Sequence, residues 1–362
     1  MKPYIPELLP LKSLNWVDFI HLIGQANRQL AHYDGILRGI PNPAVFLSPL
    51  TIQEAVLSSR IEGTQATLEE VLEYEALPKK DAPRQQDILE ILNYRNALDY
   101  AVGYLQKKPL SINLVREIHS ILLDSVRGKY KARGQFRTTQ NYIGRPGTPI
   151  EQASYIPPPP EKVMELLSNL EKYINSEEKD PLVQLAIVHA QFESIHPFLD
   201  GNGRVGRILI PLFLMEKKLL GSPVFYISAY LEAHRDTYYD RLSAITKENT
   251  WEEWITFFLS AVVEQARSNA EKAVGILKLY NDMKEKIAEI THSQYAIRVL
   301  DILFQRPYFS GAEFVKRLAV PKTSAVRILK QLEGGGILAV LQEGSGKRTS
   351  LMQFTRLTEI LK

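Results

Sequence analysis

The chain has 362 residues, a formal net charge of +3 and no cysteine. This length exceeds one ordinary hydrophobic core, so we expect two or three domains, and the lack of cysteine excludes a disulfide framework and a thiolate metal site. The charge is uneven, because residues 292–362 carry eleven Lys and Arg against five acids, a net +6 that leaves −3 for the rest. A basic module on a slightly acidic body indicates a separate nucleic-acid contact.

No segment has the apolar length of a signal peptide or a membrane span. The longest apolar run, residues 208–215, contains Pro211 and is far shorter than the roughly 20 residues that cross a bilayer. We therefore predict a soluble, non-exported protein of the reducing cytoplasm, without a membrane partner.

Hydrophobic periodicity predicts a mainly α-helical body. The predicted helices cover residues 16–37, 48–60, 67 onward, 88–102, 111–122, 161–174, 181–195 and the apolar stretch to about 219, with further helices to about 290. Between residues 134 and 160, short β-like pieces and turns end in four consecutive prolines. Because proline forbids helix there, we expect one small hairpin in an otherwise helical body.

The last seventy residues predict a winged helix-turn-helix, with helices at 295–304, 312–318 and 322–332 and strands at 337–341 and 350–354. Such a module contacts DNA phosphates through its recognition helix and wing, but winged helices also serve as protein-docking or dimer modules. The candidate contacts are Lys322, Thr323, Ser324, Arg327, Lys330, Lys347 and Arg348.

One segment carries chemistry. Residues 196–207 read His-Pro-Phe-Leu-Asp-Gly-Asn-Gly-Arg-Val-Gly-Arg. Glycines let a backbone approach a ligand, amides at a helix start bind anions and arginines add fixed positive charge, so this mixture predicts a polyphosphate site. His196 suits a general base near neutral pH, and Asp200 suits a hydrated Mg²⁺.

Other glycine motifs fit less well. Residues 201–206 satisfy G-x-G-x-x-G, but a dinucleotide fold requires a preceding strand where the pattern here is helical. Arg204 and Val205 stand where a Walker loop requires Lys and Ser or Thr. One His and one carboxylate are too few for a metal hydrolase. A glycine-rich connector with solvated arginines is the structural alternative.

Residues 196–207 resemble the signature H-x-F-x-[DE]-G-N-G-R-x-x-R of the Fic family, and every fixed position matches. Members of that family are mostly protein adenylyltransferases with an all-helical core and a β-hairpin flap. The resemblance implies that His196 deprotonates a hydroxyl of a target protein, which then attacks the α-phosphate of ATP. It also implies that Asp200 holds Mg²⁺ on the α- and β-phosphates.

The resemblance assigns further contacts with ATP. Asn202 and the amides of Gly201 and Gly203 would cradle the α- and β-phosphate oxygens, Arg204 the β-phosphate and Arg207 the γ-phosphate. Related proteins place aromatic residues against adenine at the distance of Tyr238 and Tyr239, although tyrosines on a helix are more often core. The implied ATP-binding set is Glu62, His196, Gly201, Asn202, Gly203, Arg204, Val205, Gly206, Arg207 and Tyr239.

A second match lies far upstream, where residues 58–63 resemble the inhibitory motif [ST]-x-x-x-E-[GN] of the family. Ser58 and Glu62 share one helical face, and Gly63 ends the helix so that the carboxylate can project. By resemblance, Glu62 would pair with Arg207 and take the arginine that the γ-phosphate needs. Without the downstream signature, Glu62 would be an ordinary solvated acid.

These observations predict four parts: an N-terminal helical region with the inhibitory helix (1–85), a Fic catalytic domain (86–260), a helical linker (261–291) and the winged helix (292–362).

The predicted function is MgATP-dependent transfer of AMP to a Tyr, Thr or Ser hydroxyl of a target protein or of a second copy, restrained by Glu62. The flap would pair with an extended stretch of the target. The alternative is a DNA-binding regulator whose Fic core senses nucleotide or removes AMP, with Glu62 orienting water.

Overall fold

The computed structural model describes residues 2–40, 48–79, 82–124, 126, 130–144, 147–345 and 349–361, and it confirms a mainly α-helical chain with one small sheet. The helices are α1 (Ile20–Arg38), α2 (Ser48–Ile61), α3 (Leu68–Ala76), α4 (Gln85–Leu105), α5 (Ile112–Leu122), α6 (Pro160–Ile174), α7 (Pro181–Ile195), α8 (Asn202–Glu216), α9 (Ser228–Ala233), α10 (Arg235–Glu248), α11 (Trp251–Thr291), α12 (Ala296–Gln305), α13 (Gly311–Leu318), α14 (Lys322–Gly334) and α15 (Thr355–Leu361). Within the described ranges, none of them is both long and apolar enough to cross a membrane.

Local capping groups set several helix starts. At α3, the Thr67 hydroxyl accepts a hydrogen bond from the Glu70 amide, and the Glu70 carboxylate accepts one from the Thr67 amide. At α5, the Ser111 hydroxyl accepts a hydrogen bond from the Leu114 amide, and Asp180 caps α7 immediately before Pro181. These caps satisfy amides that lack a partner in the first helical turn, so the starts follow from short-range chemistry.

The two helices that flank the signature form the centre of the body. Nearly all residues of α7 and α8 are buried, as expected of helices that are apolar on every side. α7 packs against α1, α6, α8 and α11. Trp254 of α11 donates its indole N–H to the carbonyl of Ala186 at 2.8 Å. The turn between α7 and α8 is therefore anchored in a rigid frame.

A single helix of 41 residues, α11, runs along the body and packs against α1. It passes without interruption through the boundary predicted between residues 260 and 261. Its second half buries residues such as Ala266, Ala273 and Ile287, so residues 261–291 are helical, as predicted for a linker, but also contribute to the core. The four-part division of the chain stays a prediction.

The C-terminal unit contains α12, α13, α14 and an antiparallel sheet in which β3 (Leu351–Gln353) lies between β1 (Tyr308–Ser310) and β2 (Ala339–Gln342). The three helices and the β2–β3 pair occur where the sequence predicted them, whereas β1 and α15 were not predicted. The winged-helix class stays a prediction. Two of its predicted contacts, Lys347 and Arg348, lie outside the described residues.

This unit is tied to α2 and α3. The buried carboxylate of Glu75 on α3 pairs with Arg95 of α4 at 2.5 Å and with Arg306, just after α12, at 2.8 Å. Gln53 on α2 donates a hydrogen bond to the carbonyl of Leu361 in α15. The helix that carries Ser58 and Glu62 therefore packs between the body and the C-terminal unit.

The predicted β-hairpin flap over residues 134–160 is present as a single antiparallel pairing, without regular strands. Across the described parts of this segment, the only strand pairing is one antiparallel bridge between Ile143 and Tyr155. Pro149 and the prolines at 157–160 have no amide hydrogen to donate, so a longer ladder of hydrogen bonds cannot form around them. Outside this pairing, the described part of the segment packs along the turn between α7 and α8.

Candidate active site

The predicted general base lies at a sharp turn. α7 ends at Ile195, and His196 adopts left-handed backbone angles, φ 48° and ψ 58°, while its amide donates to the Phe192 carbonyl at 3.0 Å. For a residue other than glycine, this conformation costs about 1–2 kcal/mol, so surrounding contacts must hold it.

Polar groups of the following loop fix its shape. Asn202 accepts a hydrogen bond from the Phe198 amide and donates one to the Phe198 carbonyl, each at 2.9 Å. The Asp200 carboxylate accepts from the amide of Gly201 at 2.6 Å, and Gly201, with φ 77°, precedes α8. The side chain of Asn202 thus makes two hydrogen bonds within the loop, and its contact with phosphate stays a prediction.

The N-terminus of α8 is open to an anion. No described side chain caps it, so its first amides and the positive end of the helix dipole are free to bind negative charge. The space above Gly203 holds the carboxylate of Glu62, because a Cβ atom on this glycine would overlap Glu62 Oε1. An acid from distant α2 therefore lies at the helix end for which the sequence predicts phosphates.

Glu62 reaches this position because α2 ends at Ile61 and Gly63 takes a positive φ of 99°, which favours glycine. Arg207 donates from Nη2 to Glu62 Oε1 at 2.6 Å and to the Ser58 carbonyl at 2.9 Å, and from Nε to Ser58 Oγ at 2.8 Å. The guanidinium is therefore bonded to α2 at three points.

Electrostatics favour the charged forms of this pair. Burial opposes ionisation of Glu62, but the charge and hydrogen bond of Arg207, together with Arg204 and His196, hold the pKa of Glu62 below its ordinary value. Burial also disfavours the guanidinium, but Glu62 outweighs this effect and raises the pKa of Arg207. The side chain of Glu62 is 35% exposed and that of Arg207 is 1% exposed, so solvent reaches the pair only from the side of Glu62.

His196 is neutral at physiological pH. Burial, helped by the charge of Arg137, lowers the pKa of His196 to about 4 against the backbone of Glu193 and the charge of Glu62, which raise it. Its Nδ1 atom is buried and forms no hydrogen bond of normal geometry within the described part of the chain. A neutral imidazole can accept a proton, as a general base must.

Arg204 forms a second arginine–carboxylate pair. Its Nη1 atom donates to Oε2 of Glu90 on α4 at 3.1 Å, and the two side chains are 5% and 7% exposed. Asp200 Oδ1 lies 3.7 Å from Arg204 Nη2. Sequence reasoning missed Glu90, so a contact between Arg204 and the β-phosphate would have to form beside this existing pair.

The predicted metal ligand, Asp200, has a side chain that is 43% exposed. The described residues contain no group of three or more His, Cys, Asp or Glu that could hold a metal ion. A single carboxylate suits Mg²⁺ when phosphates and water supply the other oxygens. The donor set therefore fits a magnesium ion that arrives with a nucleotide.

The two adjacent tyrosines have different surroundings. Tyr238 is 1% exposed, and its hydroxyl is hydrogen-bonded to Nε2 of His189 in the core at 2.9 Å. Tyr239 is 41% exposed and lines a cavity of about 410 Å³ beside α7, a volume typical of small-molecule sites. The other lining residues are Ile143, Ser154, Tyr155, Glu193, Ser194, Asp240, Leu242, Ser243, Thr246 and Lys247.

Two further signature residues have packing roles. Val205 is fully buried, so the geometry does not support a nucleotide contact for its side chain. Gly206 makes room for Glu193, whose Oε1 atom would overlap a Cβ at this position. Burial raises the pKa of Glu193 to about 8, with Arg207 lowering and Glu62 raising it. Glu193, which sequence reasoning missed, is therefore largely protonated at neutral pH.

His119 on α5 is another missed residue of the site. Its Nδ1 atom accepts a hydrogen bond from the Gly134 amide at 2.9 Å, so its Nε2 atom carries the hydrogen that the Asp200 carbonyl accepts at 3.0 Å. Its ring stacks on Phe198 with 3.7 Å between centroids, and burial lowers the pKa of His119 to about 4. The one available signal was a polar ring on the apolar stripe of an amphipathic helix.

Comparisons with known proteins agree on the family. The model of the Fic/DOC family N-terminal region matches residues 20–103, and the Fic/DOC family model matches residues 109–214. A probable protein adenylyltransferase of Aquifex aeolicus is 28% identical over 304 residues, which cover 83% of this chain and 86% of the relative. The protein adenylyltransferase Fic of Culex quinquefasciatus is 35% identical over 161 residues, which cover 42% of this chain and 28% of that longer relative.

The fold agrees as well. A Fic family protein of Desulfovibrio desulfuricans G20 superposes with a TM-score of 0.61 at 19% identity, covering 96% of this chain and 98% of that one. The two matched family regions together take in more than half of the chain, and they contain Ser58, Glu62 and the whole signature. The chain therefore belongs to the Fic/DOC family.

Proposed function

We propose that this protein transfers AMP from ATP to a Tyr, Thr or Ser hydroxyl of a target protein, itself included, and that Glu62 restrains the reaction by occupying Arg207. One observation carries the proposal: the Glu62 carboxylate is bonded to Arg207 above the open N-terminus of α8, beside a neutral His196. The names of the relatives support adenylyl transfer in general.

In the proposed reaction, His196 accepts the proton of the target hydroxyl. The hydroxyl oxygen forms a bond to the α-phosphorus of ATP, the bond from this phosphorus to the bridging oxygen breaks, and pyrophosphate leaves. Phosphoryl-type transfer mainly requires positioning and neutralisation of charge. The phosphates of bound ATP raise the pKa of the buried imidazole toward neutrality, because nearby negative charge favours the protonated ring.

The phosphates of ATP would occupy the N-terminal end of α8. Amides of Gly203 and Arg204 would bind oxygens of the α- and β-phosphates, and Arg207 would bind the γ-phosphate. Asp200 would hold Mg²⁺, which supplies charge neutralisation for the phosphates when bound. The cavity beside Tyr239 is wide enough for the nucleobase.

The proposed inhibition is a competition for one cation. Glu62 and a γ-phosphate both require the Arg207 guanidinium and the same end of α8, so the two cannot bind there together. While Glu62 keeps this place, the γ-phosphate lacks its anchor and the α-phosphate is not aimed at the hydroxyl. Displacement or removal of Glu62 therefore releases activity.

The test uses four proteins: wild type, Glu62→Gly, Glu62→Gly with His196→Ala, and Gln65→Gly as a matched control at a nearby exposed position. Each is incubated with Mg²⁺ and ATP labelled in its α-phosphate. We expect Glu62→Gly to label itself at least about tenfold faster than wild type, the double variant to stay unlabelled and the control to behave as wild type. Mass spectrometry should locate one AMP on a Tyr, Thr or Ser.

Three outcomes would contradict this function. An unlabelled Glu62→Gly protein would exclude self-transfer of AMP under these conditions. Label from γ-labelled ATP alone would indicate phosphate transfer. Release of AMP from labelled protein by wild type but not by Glu62→Gly would favour removal of AMP, with Glu62 orienting water.

One observation favours a second function, nucleic-acid binding by the C-terminal unit. Lys322, Arg327 and Lys330 are exposed on α14 and line an open groove. Lys322 and Lys330 are eight positions apart and share one helical face, a spacing suited to contacts with successive phosphates.

A mobility-shift assay with duplex DNA tests this function. We expect binding that weakens steeply between about 50 and 200 mM salt and that is lost when Arg327→Ala and Lys330→Ala are combined. Lys107→Ala, at an exposed site on the body, serves as the control. If no shift occurs, or if the combined variant binds as wild type does, α14 does not contact DNA.

A further inference from the structure

Arg137 holds the turn that carries His196. Arg137 is 3% exposed. Its Nε atom donates to the His196 carbonyl at 2.9 Å, and its Nη2 atom donates to the carbonyls of Pro158 at 2.6 Å and Ile195 at 3.3 Å. Its own amide donates to the Pro197 carbonyl at 2.9 Å. One residue thus binds three consecutive carbonyls around the predicted base.

The partners of this guanidinium are unusual. All its described hydrogen bonds go to backbone carbonyls, and its Nη1 atom is buried without a described partner. Burial lowers the pKa of Arg137, against the weaker opposing effects of Tyr155 and Glu161, because a buried charge loses its hydration. Two of the three carbonyls belong to the C-terminal end of α7, the negative end of the helix dipole, where a cation is favoured.

The turn needs such a holder. His196 has a positive φ, which a side-chain-bearing residue keeps only when its surroundings fix the backbone. A change in the orientation of the peptide groups on either side would rotate the imidazole relative to α8. Hydrogen bonds to the carbonyls of residues 195, 196 and 197 fix these peptide groups directly.

Neighbours of Arg137 support the next part of the loop. Asn141 donates from Nδ2 to the Phe198 carbonyl at 2.9 Å, and the Phe136 ring lies 5.2 Å from the Phe198 ring. The segment 134–141 is therefore the outer wall of the signature turn, and within it Arg137 supplies the described hydrogen bond to His196 itself.

We propose that Arg137 is a positioning residue for the proton transfer: by fixing the carbonyls of residues 195–197, it sets the direction of the His196 imidazole toward the target hydroxyl without contacting the nucleotide. For the transfer step, this proposal rests on the proposed function. The guanidinium also lowers the pKa of His196, against Glu62 and the backbone of Glu193, which raise it.

The kinetic test uses the Glu62→Gly background with Arg137→Met, Arg137→Lys or the control Arg133→Met. Arg133 lies just before the segment 134–141 and bonds to Ser120 and Asp124 instead. Self-labelling rates are measured over a range of MgATP concentrations. We expect Arg137→Met to lower the maximal labelling rate at least about tenfold and to change the half-saturating ATP concentration less than about threefold. Arg137→Lys should keep an intermediate maximal rate, and the control should label as the background does.

The proposal would be overturned if Arg137→Met kept a maximal labelling rate within about twofold of the Glu62→Gly background. It would also be overturned if the maximal rate fell and the half-saturating ATP concentration rose by the same factor.

A second readout is independent of activity. In proteins that keep Glu62, NMR of isotope-labelled histidine follows the His196 ring, assigned by its loss in His196→Gln. We expect the pKa of His196 to rise in Arg137→Met but not in Arg133→Met, and unchanged ring resonances and pKa would overturn the role. If Glu62→Gly itself is not labelled, the proposed function fails. The NMR result alone then decides whether Arg137 positions the His196 ring.

Discussion

Two arginines from one turn of α8 are paired with carboxylates from different helices, and the pairs differ in exposure. Arg204 and Glu90 are both buried, at 5% and 7% exposure. Arg207 is 1% exposed, but its partner Glu62 is 35% exposed. Glu90 lies within α4, whereas Glu62 follows the last residue of α2 and precedes a glycine. One carboxylate is held by helix on both sides and the other on one side only.

A competing anion can displace only a partner that is free to leave. Displacing Glu90 would require opening the core along α4 and separating two buried charges. Displacing Glu62 requires only the rotation of one side chain at a helix end, and solvent can hydrate the displaced carboxylate. We infer that Arg204 is a permanent part of the site and that Arg207 is the exchangeable cation.

The largest expected effect concerns the permanent pair. Arg204→Met removes the buried cation that pairs with Glu90, so the free energy of unfolding should fall by about 3–5 kcal/mol. Chemical denaturation measures this loss, and Arg204→Met combined with Glu90→Met should recover much of it, because the double variant removes both members of the pair. A loss below about 1 kcal/mol would mean that the pair behaves like a surface salt bridge.

Breaking the Arg207–Glu62 pair should change stability little and activity strongly. Glu62→Gln should lower the free energy of unfolding by no more than about 1 kcal/mol, because over a third of the Glu62 side chain is exposed and Arg207 keeps both bonds to Ser58. Self-labelling with MgATP should nevertheless rise about tenfold. Denaturation curves and labelling rates measure the two effects. A stability loss equal to that of Arg204→Met would remove the distinction between the pairs.

A smaller effect is expected from the hydroxyl that shares Arg207. Ser58→Ala removes the acceptor for Nε but leaves the Ser58 carbonyl, so the closed state should lose about 1 kcal/mol and labelling should rise about fivefold. Ser59→Ala is the matched control, because Ser59 is equally buried and its hydroxyl has no described partner. Equal rises in both variants would show that general loosening of α2, not the bond to Arg207, is responsible.

The smallest expected effect is that of pH on the inhibition by Glu62. Because the pKa of Glu62 is lowered in the folded protein, its interaction with Arg207 is fully present above the ordinary carboxyl pKa and is lost only as the pH falls through the lowered value. The labelling ratio of Glu62→Gly to wild type should therefore change less than about twofold between pH 6 and 8. Initial rates at matched ionic strength measure it, and a ratio that collapses below pH 7 would contradict an ionised Glu62.

Helix positions were predictable where the signals are local. The starts at Thr67, Ser111 and Asp180 depend on side chains within three residues of the amides that they satisfy. The strand β1 and the helix α15 were missed, because elements of three and seven residues depend on the partners that pack against them. The predicted hairpin is limited to one antiparallel bridge, because its prolines cannot donate to a longer ladder.

The chemistry of the site divides in the same way. The sequence alone identified the signature and Glu62, predicted a polyphosphate site there, and placed these residues at helix ends. It did not identify Glu90, His119 or Arg137, whose partners in the site lie 114, 81 and 59 positions away. No pattern of neighbouring residues distinguishes these three from other polar residues of a helical protein.

By itself, the sequence determined the helices, the glycine-rich uncapped start of α8 and the glycine that ends α2, because backbone preference and capping act over a few residues. Only the tertiary structure decided which carboxylate neutralises which arginine. It also decided that Glu90 is buried while Glu62 is partly exposed. The physical reason is that the strength of a charge pair depends on its separation and on the water that packing leaves around it. Both quantities are set by distant helices.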